Sequence, residues 1–234
     1  MHSGIKFAFA ASIALFLLPA PAALAAQKDL KEVLSQLDAA AANFRSTSAD
    51  FEFITVQTDP VPDKDEQKGT VYYKRNGKNF QMAAHIHEEN GKPVPKDLTY
   101  SGGKVMLYEK LTNQVHVRDA AKYESYLLLG FGASGKELAD KWEIKYLGSE
   151  ALMDGKTSVE TEKLELIAKD PDVLKLFPKV IIWVDPVHGV SLKQIFDEGQ
   201  GQSRTCFYFN IKVNQPLRES DFTFKTDSQT TYIK

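Results

Sequence analysis

The sequence predicts a mainly β protein with some α. A single antiparallel sheet of about ten or eleven strands curls into an incomplete barrel, with a helical lid over an apolar cavity. Three observations lead there. First, residues 177–214 form a run of hairpins: Lys179 to Asp185, Val190 to Glu198 and Ser203 to Val213, joined at Asp185-Pro-Val-His-Gly189 and Gly199-Gln-Gly201. Gly and Pro at the corners with β-branched and aromatic residues between them are hairpin signals. Second, these strands alternate. Thr205, Phe207, Phe209, Ile211 and Val213 share one parity, so the sheet has one apolar face and one wet face. Third, the chain offers little helix to cover that face; a second packed layer of strands is the alternative, but the in-order hairpins favour one sheet curling onto its own apolar face.

The remaining elements follow in order. Asp29 to Phe44 carries Leu30, Val33, Leu34, Leu37, Ala41 and Phe44 at helical spacing, with Asp29 as N-cap. Ala49 to Gln57 alternates as a strand, and Thr58 to Lys68, with two prolines and clustered charge, is expected as a loop. Gly69 to Arg75 and Asn79 to His87 form a hairpin about Asn76-Gly77-Lys78. Glu88 to Lys96 is expected as a second loop. Leu98 to Tyr100, Lys104 to Tyr108 and Gln114 to Arg118 are strands, turning at Ser101-Gly-Gly103 and Thr112-Asn113. Tyr123 to Phe131 is a short apolar helix, and Ser134-Gly-Lys-Glu137 is a capping box opening a helix to Lys141. Trp142 to Leu147 and Val159 to Lys169 are strands. Asp170-Pro171 caps one helical turn. Asp221-Phe-Thr-Phe224 is expected to add a last short strand.

Composition is that of a globular protein, 43% hydrophobic and 26% charged, with a net charge of −2 and no basic excess to suggest nucleic acid. Residues 1–25 read as a secretory signal peptide, with Lys6 in its head, an apolar run from Phe7 to Leu18 and Ala23-Leu24-Ala25 at the cleavage site. Residues 26–234 then form one domain in the periplasm. Cys206 is the only cysteine, so no internal disulfide is available.

Chemical motifs are few. Gly130 to Lys136 has the spacing of a phosphate-cradling loop, but Glu137 stands where magnesium coordination needs Ser or Thr, and no βαβ pattern surrounds it. A Gly-rich turn into a capped helix is the simpler reading. His85 and His87 share a strand face and with His116 could ligate a metal, although polar-face histidines explain them as well. Asp59, Asp63, Asp65 and Glu66 lack calcium-loop spacing. No nucleophile elbow or zinc-protease motif occurs. No cofactor, metal or catalytic residue is expected, and no enzyme.

The order of the pieces resembles the periplasmic outer-membrane lipoprotein carrier (LolA-like) family. The pieces are the helix leading to Phe44, the strand Ala49 to Phe53, Gly69 to Arg75 followed by Phe80 and Met82, the Tyr100 to Tyr108 hairpin, Val184-Asp185 through Gly189 to Phe196, and Asp221 to Phe224. The resemblance implies a carrier that binds lipoprotein acyl chains in an apolar cavity and passes them from an inner-membrane releasing complex to an outer-membrane receptor. It also implies that Arg75 latches the lid, and that Phe51, Phe80 and Met82 face the cavity. Strand parity adds Phe53, Val71, Tyr73, Phe207, Phe209, Ile211 and Val213 to the cavity wall. The chain is expected to be monomeric. A single-domain periplasmic binding or sensor protein for another lipid or amphiphile is the alternative. Long loops at 58–68 and 88–96, and Asn76 after the arginine, mark a divergent member.

Overall fold

The computed structural model describes residues 29–77 and 79–234; the expected leader lies outside them. Among the described residues twelve strands form one sheet. They are β1 (Ser46–Gln57), β2 (Asp63–Asn76), β3 (Asn79–Glu89), β4 (Lys92–Ser101), β5 (Lys104–Glu109), β6 (Gln114–Asp119), β7 (Trp142–Asp154), β8 (Thr157–Ala168), β9 (Lys179–Asp185), β10 (Val190–Gly199), β11 (Gln202–Val213) and β12 (Thr231–Ile233). Two meanders, β1 to β6 and β7 to β11, join where β1 pairs antiparallel with β11. The single parallel pair is β12 on β6. β7 and β12 end the sheet without pairing, so the barrel stays open.

Two expected loops are strand instead. β2 begins at Asp63 and pairs back to Gln57, so the first loop shrinks to residues 58–62. This stretch has no apolar period because both its faces are wet. It is matched across strands by charge, with Lys68 paired to Glu52, Glu66 and Glu88. β3 and β4 likewise run on to Glu89 and from Lys92, around Asn90 and Gly91, both left-handed at φ 52° and 73°. An Asn-Gly pair with both residues left-handed is the tight hairpin turn that matches strand twist. β7 continues past Leu147 to Asp154, with its register shifting between Tyr146 and Ser149. The strand expected over Asp221 to Phe224 is not formed. A 3₁₀ turn, Glu219–Phe222, stands there, and Thr231–Ile233 supplies the last strand.

The helices are α1 (Leu30–Asn43), α2 (Glu124–Leu127), α3 (Gly135–Lys141) and α4 (Pro171–Leu176). Asp29 caps α1 by accepting from the Glu32 N–H, and α3 carries the expected capping box. The helix expected over Tyr123 to Phe131 is shorter. A 3₁₀ turn, Ala121–Tyr123, leads into α2, and the chain then reverses at Gly130 and Gly132.

Two apolar clusters fill the concave side. One sets Val33 and Leu37 of α1 and Leu138 of α3 against Leu164, Leu166, Val180, Ile182 and Val184. The other gathers Phe44, Phe51, Val71, Tyr73, Phe80, Met82, Tyr100 and Tyr208 around Phe131. Fully burying a side chain of this size stabilises the fold by about 1.5–3 kcal/mol.

The parity of β11 needs correction. Asn210 is left-handed at φ 54°, and the β1–β11 register shifts between Ser48 and Asp50. The shift is a β-bulge, and a bulge reverses which face the following residues take. Before it, Cys206 and Tyr208 stand opposite Phe53 and Phe51 on the concave side, while Phe207 and Phe209 stand opposite Glu52 and Asp50 on the outer face. After it, Ile211 and Val213 return to the concave side. The bulge is held from both sides: the Asn210 amide donates to Asp50 at 2.8 Å, and the Ile211 N–H donates to Asp154 at 3.0 Å. Tyr208→Ala is therefore expected to cost about 3–5 kcal/mol in urea unfolding, as for a buried aromatic, and Phe209→Ala less than half of that. Equal losses would show that the two share one face.

Candidate functional site

The site is the concave face of the half-barrel and the segment from Ala121 to Lys141 that plugs it. Phe131 at its centre has no exposed surface. Its ring stacks on Tyr73 at 3.9 Å and meets the edge of Tyr208 at 4.8 Å. Tyr73 in turn stacks on Phe80, which packs against Tyr100. Beside Phe131, Leu129 is buried in the other cluster. Tyr126 of α2 stacks on Phe177 at 4.4 Å.

Polar contacts fasten the plug at named points. Phe131 forms a one-residue bridge with Val190. The Ser191 N–H donates to the Gly130 carbonyl at 2.7 Å, and the Gly132 N–H donates to the Gly189 carbonyl at 2.9 Å. Buried Gln194 donates its amide to the Leu129 carbonyl at 2.6 Å and accepts from the Tyr208 hydroxyl at 3.3 Å. The Tyr100 hydroxyl donates to Glu124 at 2.5 Å.

Arg75 reaches α3 through Glu137. Its guanidinium Nη2 lies 3.6 Å from Glu137 Oε2, and its side chain is 19% exposed. The same Glu137 oxygen accepts the Ser134 N–H at 2.9 Å, closing the capping box. One carboxylate thus caps the start of the helix and ties it to the sheet. α3 also sits tightly on α1. A Cβ on Gly135 would lie 2.2 Å from the Leu34 carbonyl oxygen, so only glycine fits there.

The expected apolar cavity is filled in this structure by the plug's own side chains. One cavity beside the plug, of about 450 Å³, is lined by Arg75, Glu124, Leu128, Glu137, Leu138 and Trp142 among others. Of the expected wall, Phe51, Val71, Tyr73, Phe80 and Met82 are buried around Phe131, and Phe53, Ile211 and Val213 pack at the edge of that cluster. Phe207 and Phe209 are not part of it. Sequence reasoning missed Tyr100, Phe131, Gln194 and Tyr208. Phe131 was visible between two glycines, but only as the end of an expected short helix.

Burial pushes the Cys206 thiol up to about 12 and holds the Tyr73 and Tyr208 phenols well above their usual range. These groups stay protonated, and Cys206 is a small apolar filler rather than a nucleophile. Among the described residues no group of three or more His, Cys, Asp or Glu side chains is placed to hold a metal ion. His85 is engaged by Asp97, and His116 lies 3.6 Å from Glu109. Among the same residues no helix is long and apolar enough to cross a membrane.

No protein-family model matches the chain, and no curated protein matches its sequence. Solved structures do. An uncharacterised conserved protein from Thermus thermophilus is similar at a TM-score of 0.51 and 14% identity, over 87% of this chain and 97% of that one. The resemblance is one of fold. MucB of Pseudomonas aeruginosa, solved in complex with MucA, aligns at a TM-score of 0.49 and 12% identity over 85% of this chain and 62% of that one. A LolA superfamily protein from Nitrosomonas europaea aligns at 0.40 and 16% over 83% of this chain and 97% of that one.

The shared carboxylate can be dissected. Glu137→Gln keeps an acceptor for the Ser134 N–H and loses the charge. An ion pair of this length near the surface is worth at most about 1 kcal/mol, so a small loss is expected. Glu137→Ala also breaks the capping box and is expected to cost about 0.5–2 kcal/mol more. Hydrogen exchange over residues 134–141 should rise in the same order, and identical exchange in both variants would disprove the shared role.

Proposed function

We propose that the protein is a carrier for acylated cargo, binding the acyl chains of lipoproteins on its concave face once the plug has swung aside. The supporting observation is the nature of the filling. The concave face is covered by a short segment held through a few polar contacts, not by a second sheet. Such a cover is detachable at a cost comparable to what a ligand supplies.

The magnitudes favour a cargo with more than one chain. Displacing buried Leu129 and Phe131 with half-buried Leu127 and Leu128 forfeits at most roughly 6–12 kcal/mol together. One acyl chain burying about fourteen methylenes gains ~11 kcal/mol at about 0.8 kcal/mol per methylene. One chain therefore only matches the loss, and two exceed it. Offsetting binding against plug closure also allows release, since the plug re-forms as the chains leave. Arg75 acts here as a latch that biases closure, not as a chemical group. An exported carrier of this kind would work between an inner-membrane releasing complex and an outer-membrane receptor, as a monomer in the periplasm.

The test is binding of a fluorescent diacylated lipopeptide, compared with its monoacylated form, with hydrogen exchange over residues 121–141 read in parallel. The diacylated probe is expected to bind at least about tenfold tighter and to deprotect the plug. Arg75→Leu should bind it at least as tightly and pass it more slowly to acceptor vesicles. Absence of binding, or binding that leaves the plug protected, would overturn the reading.

A further inference from the structure

The convex face carries a polar cluster that the concave site does not use. His85 of β3 stands between two acceptors. Its Nδ1 lies 2.6 Å from Asp97 Oδ1 on β4, and its Nε2 lies 3.0 Å from the backbone carbonyl of Asp221. A carboxylate and a carbonyl can only accept. Both ring nitrogens must therefore donate, which requires the imidazolium form. The two acceptors belong to different pieces of the molecule. Asp97 is fixed in the sheet, whereas Asp221 lies in the segment that leaves β11 and crosses the outer face of β2 and β3.

That segment touches the sheet at a handful of places, one of them at its far end, where Phe224 stacks on Tyr108 of β5 at 5.1 Å. Phe222 packs against Tyr72, which also meets the His85 ring edge-on at 5.5 Å. Glu219 pairs with Lys74. The Asp221 carboxylate is occupied within the segment, accepting from the Arg218 N–H at 2.8 Å and from its guanidinium at 3.0 Å.

We propose that protonated His85 is a pH-dependent clasp that holds the segment from Pro216 to Phe224 against the convex face of the sheet. Loss of one proton selects which bond breaks. The bond to the carboxylate is the stronger, so neutral His85 keeps its proton on Nδ1. Its Nε2 lone pair then faces the Asp221 carbonyl, and the contact turns repulsive. The fastening to the sheet survives while the fastening to the segment is lost.

The groups around His85 are mostly engaged with partners of their own, and His87, two residues along β3, is exposed. Tyr72 of β2 is held above the usual phenol range by burial, and Lys74 is paired with Glu219. Burial works against the charge on Asp97, but His85 and Lys110, the latter 3.3 Å away, hold it ionised and below the usual range. Arg218 and Asp221 pair with each other. The Asp97 hydrogen bond raises His85 most, burial opposes it, and the Asp221 carbonyl adds to the rise. A raised histidine stabilises the clasped state fully below the ordinary value of about 6.5 and loses that contribution as pH climbs through the raised value.

The experiment is a titration of the histidine ring nitrogens by NMR, with amide hydrogen exchange over residues 216–224 corrected for intrinsic rates. His85 is expected to titrate above about 6.5, and protection of the segment to fall at least about tenfold between about pH 6 and pH 9. His85→Gln should lower that protection already at pH 6 and make it independent of pH. A His85 titration at or below 6.5, or segment protection that stays constant through the titration, would overturn the proposal using the unmodified protein alone.

Discussion

The stack of Phe131 on Tyr73, closed at its edge by Tyr208, is the contact on which the concave side depends. A twelve-stranded open sheet must bury one face, and α1, α3 and α4 cover chiefly the β7 to β9 end. Among the described residues, the β1 to β4 end is met by the plug, with Leu127 of α2 packed at its edge. One aromatic ring with no exposed surface fills that need. Aromatic pairs at these distances add about 0.5–1.5 kcal/mol beyond the area they bury. Without Phe131, Tyr73, Phe80 and Tyr100 would border a void or water, and voids of this kind are costly in a close-packed interior.

Most of the sheet was legible because its hairpins announce themselves twice, by alternation and by turn chemistry. Where only one signal was present the reading failed. The β2 extension from Asp63 to Lys68 shows no alternation because both faces are wet, and charge matching across three strands is invisible in one strand. The Asn90-Gly91 turn was present in the sequence but lay within a charged stretch that resembled a loop. In β11 the alternation was regular, and the error came from assuming that it ran unbroken. A lone Asn at 210, between Phe209 and Ile211, was the available sign of a bulge, since Asn tolerates the left-handed region better than its neighbours. The plug was hardest to see. Its fastenings to Ser191, Gln194 and Tyr100 lie far from it in sequence, and Gly130-Phe-Gly132 describes flexibility without naming a destination.

The contrast between the two kinds of fastening bears on the proposed function. The clusters under α1 and between the strands are apolar and need no partner of special geometry. The plug adds hydrogen bonds whose donors and acceptors are buried or half-buried, such as Gln194 to the Leu129 carbonyl. Each contributes about 0.5–1.5 kcal/mol net when made, and leaving one unmade in a dry site costs more. An opened plug is therefore unfavourable unless its place is taken, which discourages an empty open state. Acyl chain replaces the apolar contacts of the plug but none of its hydrogen bonds. Gln194 and Tyr208 would then be left to each other, as their 3.3 Å contact already permits.

In the opening proposed above, the position of Gly130 sets the order of events. It separates Leu129, which belongs to the cluster under α1, from Phe131, which belongs to the cluster around Tyr73. The glycine is left-handed at φ 78°, and a Cβ there would lie 2.0 Å from the Ser191 hydroxyl, so the backbone lies directly on β10 at the seam between the two clusters. Neither side chain can leave its cluster while the peptide between them remains pinned by Ser191. Once that bond breaks, both are released. Opening is thus expected to be concerted across the two clusters, with α1 and α3 disturbed together because Gly135 holds them in backbone contact. A gate built this way responds to ligand that competes for both halves of the concave face, and only weakly to one that reaches a single half.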